Sequence, residues 1–180
     1  MATTSVDGIF RLSVGQTLSS LPIPPALVQE FSQRFPLGNG TGAMQFDLLH
    51  VKKYSLAGSA QPIDLTSLAD LSGATVNMAR VRGRLICSRA TGSGHTLVID
   101  TTVSNGFKGF DDGTSGSKRR LFSTLAAGAT TFNFDFASDF HSVGSGVGAV
   151  TSGTSKIISL DPGASTFEAW VFLLGCSAVS

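Results

Sequence analysis

A nine-residue pattern recurs along the chain and constrains its fold more than any other feature. Three clear copies span Leu56–Asp64, Leu125–Asn133 and Leu160–Glu168, and a weaker copy spans Ala90–Val98. A Gly or Ser at the fourth position permits a tight turn, and an apolar eighth residue begins an alternating strand. The spacing of about 35 residues fits a duplicated unit of two strands and two turns, but recurrent turn chemistry in a β-sandwich gives the same pattern. Both interpretations predict an all-β domain.

A low content of charged residues is the second informative feature. The chain has 180 residues, of which 14% are charged, and its only glutamates are Glu30 and Glu168. A chain of this length normally folds into one domain with its own core. So few charges leave much of the surface to small and apolar groups, which favours association between copies. A monomer covered by Ser and Thr hydroxyls is the alternative.

Net charge and the first residues narrow the class of partner. The formal net charge of +1 argues against a protein whose main task is to neutralise nucleic acid, because such domains are clearly basic. Residues 1–8 lack the positive and apolar regions of an export signal, so we expect synthesis in the cytoplasm. No apolar run is long enough to span a membrane. Cys87 and Cys176 lie in apolar contexts and are predicted to be buried thiols, with a disulfide between them as the alternative.

Residues 1–43 are predicted to form an extended arm followed by one short helix. Residues 8–18 alternate in the manner of a strand or an extended arm. Ala26–Phe35 follows a proline and carries apolar residues at helical spacing, which predicts an amphipathic helix. Contacts with neighbouring subunits are expected at the apolar residues Phe10, Leu12, Phe31 and Phe35.

Residues 44–180 are predicted to form a β-sandwich or jelly roll of about eight antiparallel strands. Met44–Leu56 and Gln61–Leu68 are expected to pair as the first two strands of this domain. Thr75–Ser88 alternates most clearly, and it is expected to form a hairpin with His95–Val103 after a Gly-rich turn.

Arginines alternate with apolar residues in the strand Thr75–Ser88, so one face is expected to be apolar and the other basic. Together with a second basic run, this face is a candidate surface for phosphate or for an acidic neighbour. The alternative is that these cations only solvate the strand or pair with aspartates of an adjacent subunit. The candidate basic residues are Arg80, Arg82, Arg84, Lys118, Arg119 and Arg120.

The histidines and aspartates match no catalytic or metal-binding pattern. His50, His95 and His141 lack the local spacing to other ligands that a metal site requires. A nucleophile elbow and a phosphate-binding loop are also absent from the sequence. Asp111 and Asp112 carry oxygens that suit calcium, but no further carboxylate follows at the required spacing, so a solvated turn is favoured. We therefore predict a non-enzymatic protein with no catalytic, cofactor-binding or metal site.

Three segments resemble small β-rich virion proteins of tailed bacteriophages in their turn and strand patterns: Tyr54–Leu68, Ala79–Ile86 and Ile158–Cys176. The resemblance implies a subunit that coats or decorates a particle, or builds a tail or fibre, with the N-terminal arm reaching a neighbour. It implies that the partners are copies of the chain itself and other virion proteins. It also implies location in the virion after synthesis in the host cytoplasm. No functional residue transfers, because such proteins act through surfaces rather than active sites.

The function we expect is that of a non-enzymatic structural subunit of a virus or phage particle, as an exterior capsid, decoration or tail component. A β-sandwich module that binds carbohydrate or a cell surface is one alternative. It would expose Trp or Tyr for stacking on sugar rings, and only Tyr54 and Trp170 are available. Trp170 lies within a continuous apolar strand and is expected in the core. A shell-forming coat protein is the other alternative, and its genome-facing basic surface would have to come from the arginine strand.

Overall fold

The structure is a computed structural model, and it describes most of the chain. The backbone is described for residues 6–17, 26–69, 73–91, 96–110, 118–122, 132–138 and 148–179. The side chains are described for residues 38–69, 73–91, 96–110, 133–138 and 148–179.

Within the described residues the chain forms thirteen β-strands and no helix, so the predicted all-β class is confirmed. The strands are β1 Val6–Thr17, β2 Ala26–Asn39, β3 Gln45–Phe46, β4 Leu48–Ala57, β5 Gln61–Asp64, β6 Leu68–Ala69, β7 Thr75–Val76, β8 Arg80–Ala90, β9 Leu97–Asp100, β10 Lys118–Phe122, β11 Phe132–Ser138, β12 Ile157–Asp161 and β13 Thr166–Cys176.

The chain divides into two compact units, Met1–Asn39 and Gly40–Ser180. In the first unit, β1 pairs antiparallel with β2 along the whole length of β1. Strand β2 occupies the segment Ala26–Phe35, where the sequence predicts a short helix. Apolar residues four positions apart, such as Phe31 and Phe35, fit the period of a helix and also the two-residue period of a strand. The spacing therefore does not discriminate between the two, and pairing with β1 gives the strand.

Two four-stranded antiparallel sheets make up most of the second unit. Sheet I has the strand order β11-β8-β13-β4, and sheet II has the order β10-β9-β12-β5. Strands β4 and β5 belong to different sheets, and so do strands β8 and β9. The predicted pair of Met44–Leu56 with Gln61–Leu68 is therefore wrong, because β4 pairs with β13 and β5 pairs with β12. The predicted hairpin of Thr75–Ser88 with His95–Val103 is also wrong, because β8 pairs with β11 and β13.

The nine-residue pattern marks the places where the chain passes from one sheet to the other. Leu56–Asp64 joins β4 to β5, and Leu160–Glu168 joins β12 to β13. Gly58 and Gly163 in these turns have φ angles of 66° and 56°, a backbone conformation that glycine adopts without steric cost. The strand orders of the two sheets therefore match position by position. At each position, the strand of sheet I directly precedes or follows the strand of sheet II in the sequence. Most of the copy Leu125–Asn133 lies outside the described residues.

The apolar core of the second unit draws side chains from both four-stranded sheets. Strand β13 alternates along its length, and alternate residues from Phe167 to Leu173 are buried. Burying one such large side chain contributes about 1.5–3 kcal/mol. The core residues supplied by the two sheets are Tyr54, Leu56, Val81, Ile86, Phe167, Ala169, Val171 and Leu173 from sheet I and Ile63, Leu97, Ile99, Ile158 and Leu160 from sheet II.

An ion pair joins the neighbouring strands β5 and β12 at their partly exposed ends. The Nζ of Lys156 donates to Oδ2 of Asp64 at 2.7 Å, and the amide and hydroxyl of Thr66 donate to Oδ1 at 2.9 and 2.6 Å. Burial alone raises the pKa of Asp64, but the hydrogen bonds from Lys156 and Thr66 outweigh it and hold the pKa below its usual value. The ionised carboxylate therefore stabilises the fold.

This ion pair predicts a pH dependence of stability with a defined sign. Because the folded-state pKa of Asp64 lies below the unfolded value of about 3.9, its contribution is present above about pH 4 and is lost as the pH falls through the folded-state pKa. For a partly exposed pair the contribution is about 0–1 kcal/mol. Urea unfolding from pH 2 to 6 should show a shallower loss of stability for Asp64→Asn than for the wild type. Parallel curves for the two proteins would contradict this assignment.

Candidate assembly surface

Sheet I exposes a continuous apolar surface on the side that faces away from the core. On strand β13 the residues between the buried positions point to this side, and the neighbouring strands add apolar residues in register with them. All of these side chains are at least partly exposed. We call this surface the outer face, and its apolar members are Leu49, Val51, Leu85, Cys87, Phe134, Phe136, Trp170, Phe172 and Leu174.

Two complete cross-strand rows form the centre of the outer face. The first row runs across the four strands as Phe134, Cys87, Trp170 and Lys53. The second row runs as Phe136, Leu85, Phe172 and Val51. Directly opposed residues on one side of a sheet contact one another, so the rows give a dense apolar surface. Phe134 is 67% exposed and Phe136 is 53% exposed, which leaves two large aromatic rings facing solvent.

A small charged cluster borders one end of the outer face. The Nζ of Lys53 donates to Glu168 at 2.5 Å, and Arg89 donates to the other oxygen of the same carboxylate. Hydrogen bonds from Lys53 and then Arg89 hold the pKa of Glu168 below its usual value. The Nζ of Lys53 also lies 5.1 Å from the centre of the Trp170 ring. The cluster therefore satisfies its own carboxylate and carries one net positive charge.

Trp170 lies beside this cluster on the outer face, so the prediction that it belongs to the core is wrong. A shallow hollow of about 450 Å³ opens next to its ring. The residues that line the hollow are Lys53, Cys87, Arg89, Phe134, Glu168, Trp170 and Phe172.

Arg80, Arg82 and Arg84 are each 0% exposed, so they do not form the predicted basic surface. The sequence pattern shows which residues of the strand share a side but not which side is covered. Ile86 continues the buried side beyond Arg84, and Leu85 lies on the outer face instead. The predicted orientation of this strand is therefore reversed along its second half.

The buried guanidinium groups are engaged within the second unit. The Nη2 of Arg84 donates to Oδ2 of Asp135 on the neighbouring strand at 3.0 Å, and the two side chains are 0% and 7% exposed. The Arg84 guanidinium also lies 5.8 Å from the centre of the Phe110 ring. Arg82 donates to the carbonyl oxygens of Thr41 and Gly42 at 3.0 and 2.9 Å. A buried charge requires such partners, and these contacts give the arginines a structural role.

Other predicted residues lie where side chains are not described. The second basic run belongs to β10, which pairs with β9, and the predicted assembly contacts belong to β1 and β2. For these residues the structure describes the backbone but not the side chain: Lys118, Arg119, Arg120, Phe10, Leu12, Phe31 and Phe35. Four further residues lie outside the described part of the chain altogether: His95, His141, Asp111 and Asp112.

His50 is buried inside the second unit. Its Nδ1 donates to the carbonyl oxygen of Ala69 at 2.7 Å, and the Tyr54 hydroxyl lies 3.4 Å from its Nε2. Among the described residues, no group of three or more His, Cys, Asp or Glu side chains is placed to hold a metal ion. Cys176 is buried, Cys87 is half-buried on the outer face, and both are free thiols.

The outer face was not predicted from the sequence, although the sequence holds two signals for it. Strand β11 alternates aromatic and polar residues, and the polar Asp135 lies on the buried side because it pairs with Arg84. Strand β13 is apolar on both sides from Ala169 to Leu174, which is typical of a strand whose two sides are both covered.

Comparison with protein-family models, curated proteins and solved structures finds no match to this chain. Among the described residues, no helix has the length and apolar character that crossing a membrane requires.

Proposed function

We propose that this chain is a non-enzymatic structural subunit of a virus or phage particle. Its place in the particle would be the exterior of the capsid, as a capsid or decoration protein, or the tail. The observation that carries the proposal is the outer face of sheet I, where Phe134 and Phe136 remain largely exposed. Soluble monomers rarely expose large contiguous apolar patches, and those that exist are often interaction sites. A mostly apolar sheet surface gains free energy when another surface covers it.

The strand order supports an eight-stranded jelly roll as the fold of the second unit. A jelly roll consists of two four-stranded sheets wound from two Greek keys. Sheets I and II together have eight strands. Four pairs of sequential strands occupy matching positions in the two sheets: β4 and β5, β8 and β9, β10 and β11, and β12 and β13. Jelly rolls occur in viral capsid proteins but also in lectins and cupins. Because a fold does not decide a function, the outer face rather than the topology carries the functional proposal.

The proposed partners are copies of this chain and other virion proteins, and the proposed location is the virion. A genome-facing role as a shell-forming coat protein receives less support. Arg80, Arg82 and Arg84 are buried and do not offer their charge to nucleic acid.

Negative-stain electron microscopy of the purified full chain, with light scattering on the same sample, tests the proposal. A structural subunit should give regular rings, tubes or shells, because identical subunits close into symmetric assemblies. A uniform population of compact monomers under all solution conditions would contradict self-assembly.

Carbohydrate binding is a second candidate function, and the placement of Trp170 favours it. The ring lies on the outer face beside a hollow and a charged cluster, and sugar rings stack on exposed aromatic faces with polar groups alongside. However, Lys53 lies over the same ring at 5.1 Å and competes for that face. A glycan array with the wild type and Trp170→Ala tests this function, which requires a signal that the variant loses.

Removal of residues 1–20 should leave the second unit folded and weaken assembly. The described apolar core lies entirely within Gly40–Ser180, so we expect the melting temperature to change by less than about 4 °C, equivalent to about 1 kcal/mol in a chain of this size. Thermal unfolding and light scattering of the truncated and full chains measure the two effects. An unchanged assembly size would show that the N-terminal residues make no assembly contact.

A further inference from the structure

We infer that the outer face of sheet I binds the same face of a second copy of this chain, around a two-fold axis. The inference rests on the proposed self-assembly and adds the surface, the occupant and the symmetry of the contact. In a two-fold contact the same surface is used by both subunits and must be complementary to itself. The outer face meets this condition because it is an apolar sheet surface, and two sheets of the same twist pack face to face.

The exposed area of the outer face is sufficient for such a contact. If a fully exposed Phe contributes about 200 Å², Phe134 and Phe136 together expose about 240 Å². Each half-buried member adds a few tens of Å², so the face exposes about 500 Å² per copy. Pairing two copies then removes about 1,000 Å² from solvent, which is the lower limit for a specific interface. Repetition of the contact in a many-subunit particle strengthens it further.

The distribution of charge favours a second copy over a charged partner and fixes the direction of the axis. The central rows of the outer face carry a single charged residue, Lys53, next to Glu168 and Arg89 at one end. A two-fold axis parallel to the sheet and perpendicular to its strands places the two charged ends at opposite ends of the contact. The two Arg89 side chains, one row beyond the central rows, then stay apart, whereas an axis along the strands would bring them together. A strongly acidic partner would find only one net positive charge on this surface.

Cys87 can be used to detect the face-to-face contact, because it lies near the middle of the outer face. It belongs to the inner strand β8 and is flanked in register by Phe134 and Trp170. The centre of the face lies on the proposed axis, and packed sheets are about 10 Å apart. The two Cys87 thiols are therefore within reach of a short cross-linker. The other cysteine, Cys176, is 0% exposed.

Ser55 provides a matched position that the proposed axis keeps apart. It is exposed on strand β4, opposite Glu168 at the charged end of the outer face. Its distance along the strand from the centre is about three residues, or about 10 Å. The two Ser55 positions of a pair are therefore separated by about 20 Å along the strands.

The test is thiol cross-linking of the full chain with a bis-maleimide of about 10 Å span, equal to the separation of packed sheets. We expect a covalent dimer that mass spectrometry assigns to Cys87 joined to Cys87, and its complete loss in Cys87→Ser. The double variant Cys87→Ser/Ser55→Cys should give at least tenfold less dimer than the wild type. Cross-linking of Ser55→Cys without cross-linking of Cys87 would overturn the proposed axis.

Light scattering of the same samples separates the failure of this inference from the failure of the proposed function. Large assemblies in which Cys87 forms no cross-link would overturn the face-to-face contact alone and would assign the outer face to another occupant. Monomers at every concentration would overturn both the contact and the proposed self-assembly.

Discussion

Replacement of both exposed aromatic residues of the outer face, in the variant Phe134→Asp/Phe136→Asp, should reduce self-association by about 100-fold or more. Buried aromatic residues at interfaces contribute about 2 kcal/mol or more each, and a tenfold change in affinity corresponds to about 1.4 kcal/mol. The substituted carboxylates add a desolvation cost when the face is covered. Both side chains are more than half exposed, so the fold itself should tolerate the change. Sedimentation velocity measures the association, and far-UV circular dichroism checks the fold.

Val179→Asp is the matched control for this variant. Val179 is a large exposed apolar residue, at 46% exposure, and it follows the end of β13 rather than lying on sheet I. The substitution adds the same kind of charge to an exposed apolar position, so association should remain within twofold of the wild type. If Phe134→Asp/Phe136→Asp associated as strongly as the wild type, the outer face would have no role in association.

The second large effect concerns the buried ion pair. Replacement of Arg84 by methionine should lower the free energy of unfolding by about 3–5 kcal/mol, because it leaves the Asp135 carboxylate buried without its partner. The two side chains are 0% and 7% exposed and their charged atoms lie 3.0 Å apart. A loss of this size is a large part of the stability of a typical domain, which is about 5–15 kcal/mol. Urea unfolding followed by circular dichroism measures it.

Two further variants distinguish the loss of the ion pair from a loss of packing. The double variant Arg84→Met/Asp135→Leu removes both charges and should recover most of the lost stability, since apolar replacement of a buried pair is often neutral. Lys156→Met removes the cation from the partly exposed pair with Asp64 and should cost no more than about 1 kcal/mol. A cost for Arg84→Met as small as that of Lys156→Met would contradict the importance of the buried pair.

Local turn chemistry made part of the fold predictable from the sequence. The turns in Leu56–Asp64 and Leu160–Glu168 could be located because Gly, Ser and Pro each favour turn conformations at those positions. Which strands pair could not be predicted in the same way. Strand β4 pairs with β13, more than a hundred residues away in the sequence. Such a pairing depends on packing of the whole domain and leaves no local signal.

The candidate site was less predictable than the fold, because alternation does not state which side of a strand is buried. The pattern around Arg84 was compatible with either orientation, and burial of Arg84 depends on Asp135, a residue from another strand. The partly exposed position of Trp170 on the outer face has the same cause. An apolar strand has no polar residue to mark the side that faces solvent, so the outer face became visible only when the neighbouring strands were in place.

Sedimentation velocity of the full wild-type chain over a wide range of concentrations tests the central claim of a self-associating structural subunit most directly. We expect species heavier than the 18.6 kDa chain, with a monomer fraction that falls as the concentration rises. A single 18.6 kDa species at every concentration, from protein that circular dichroism shows to be folded, would contradict it.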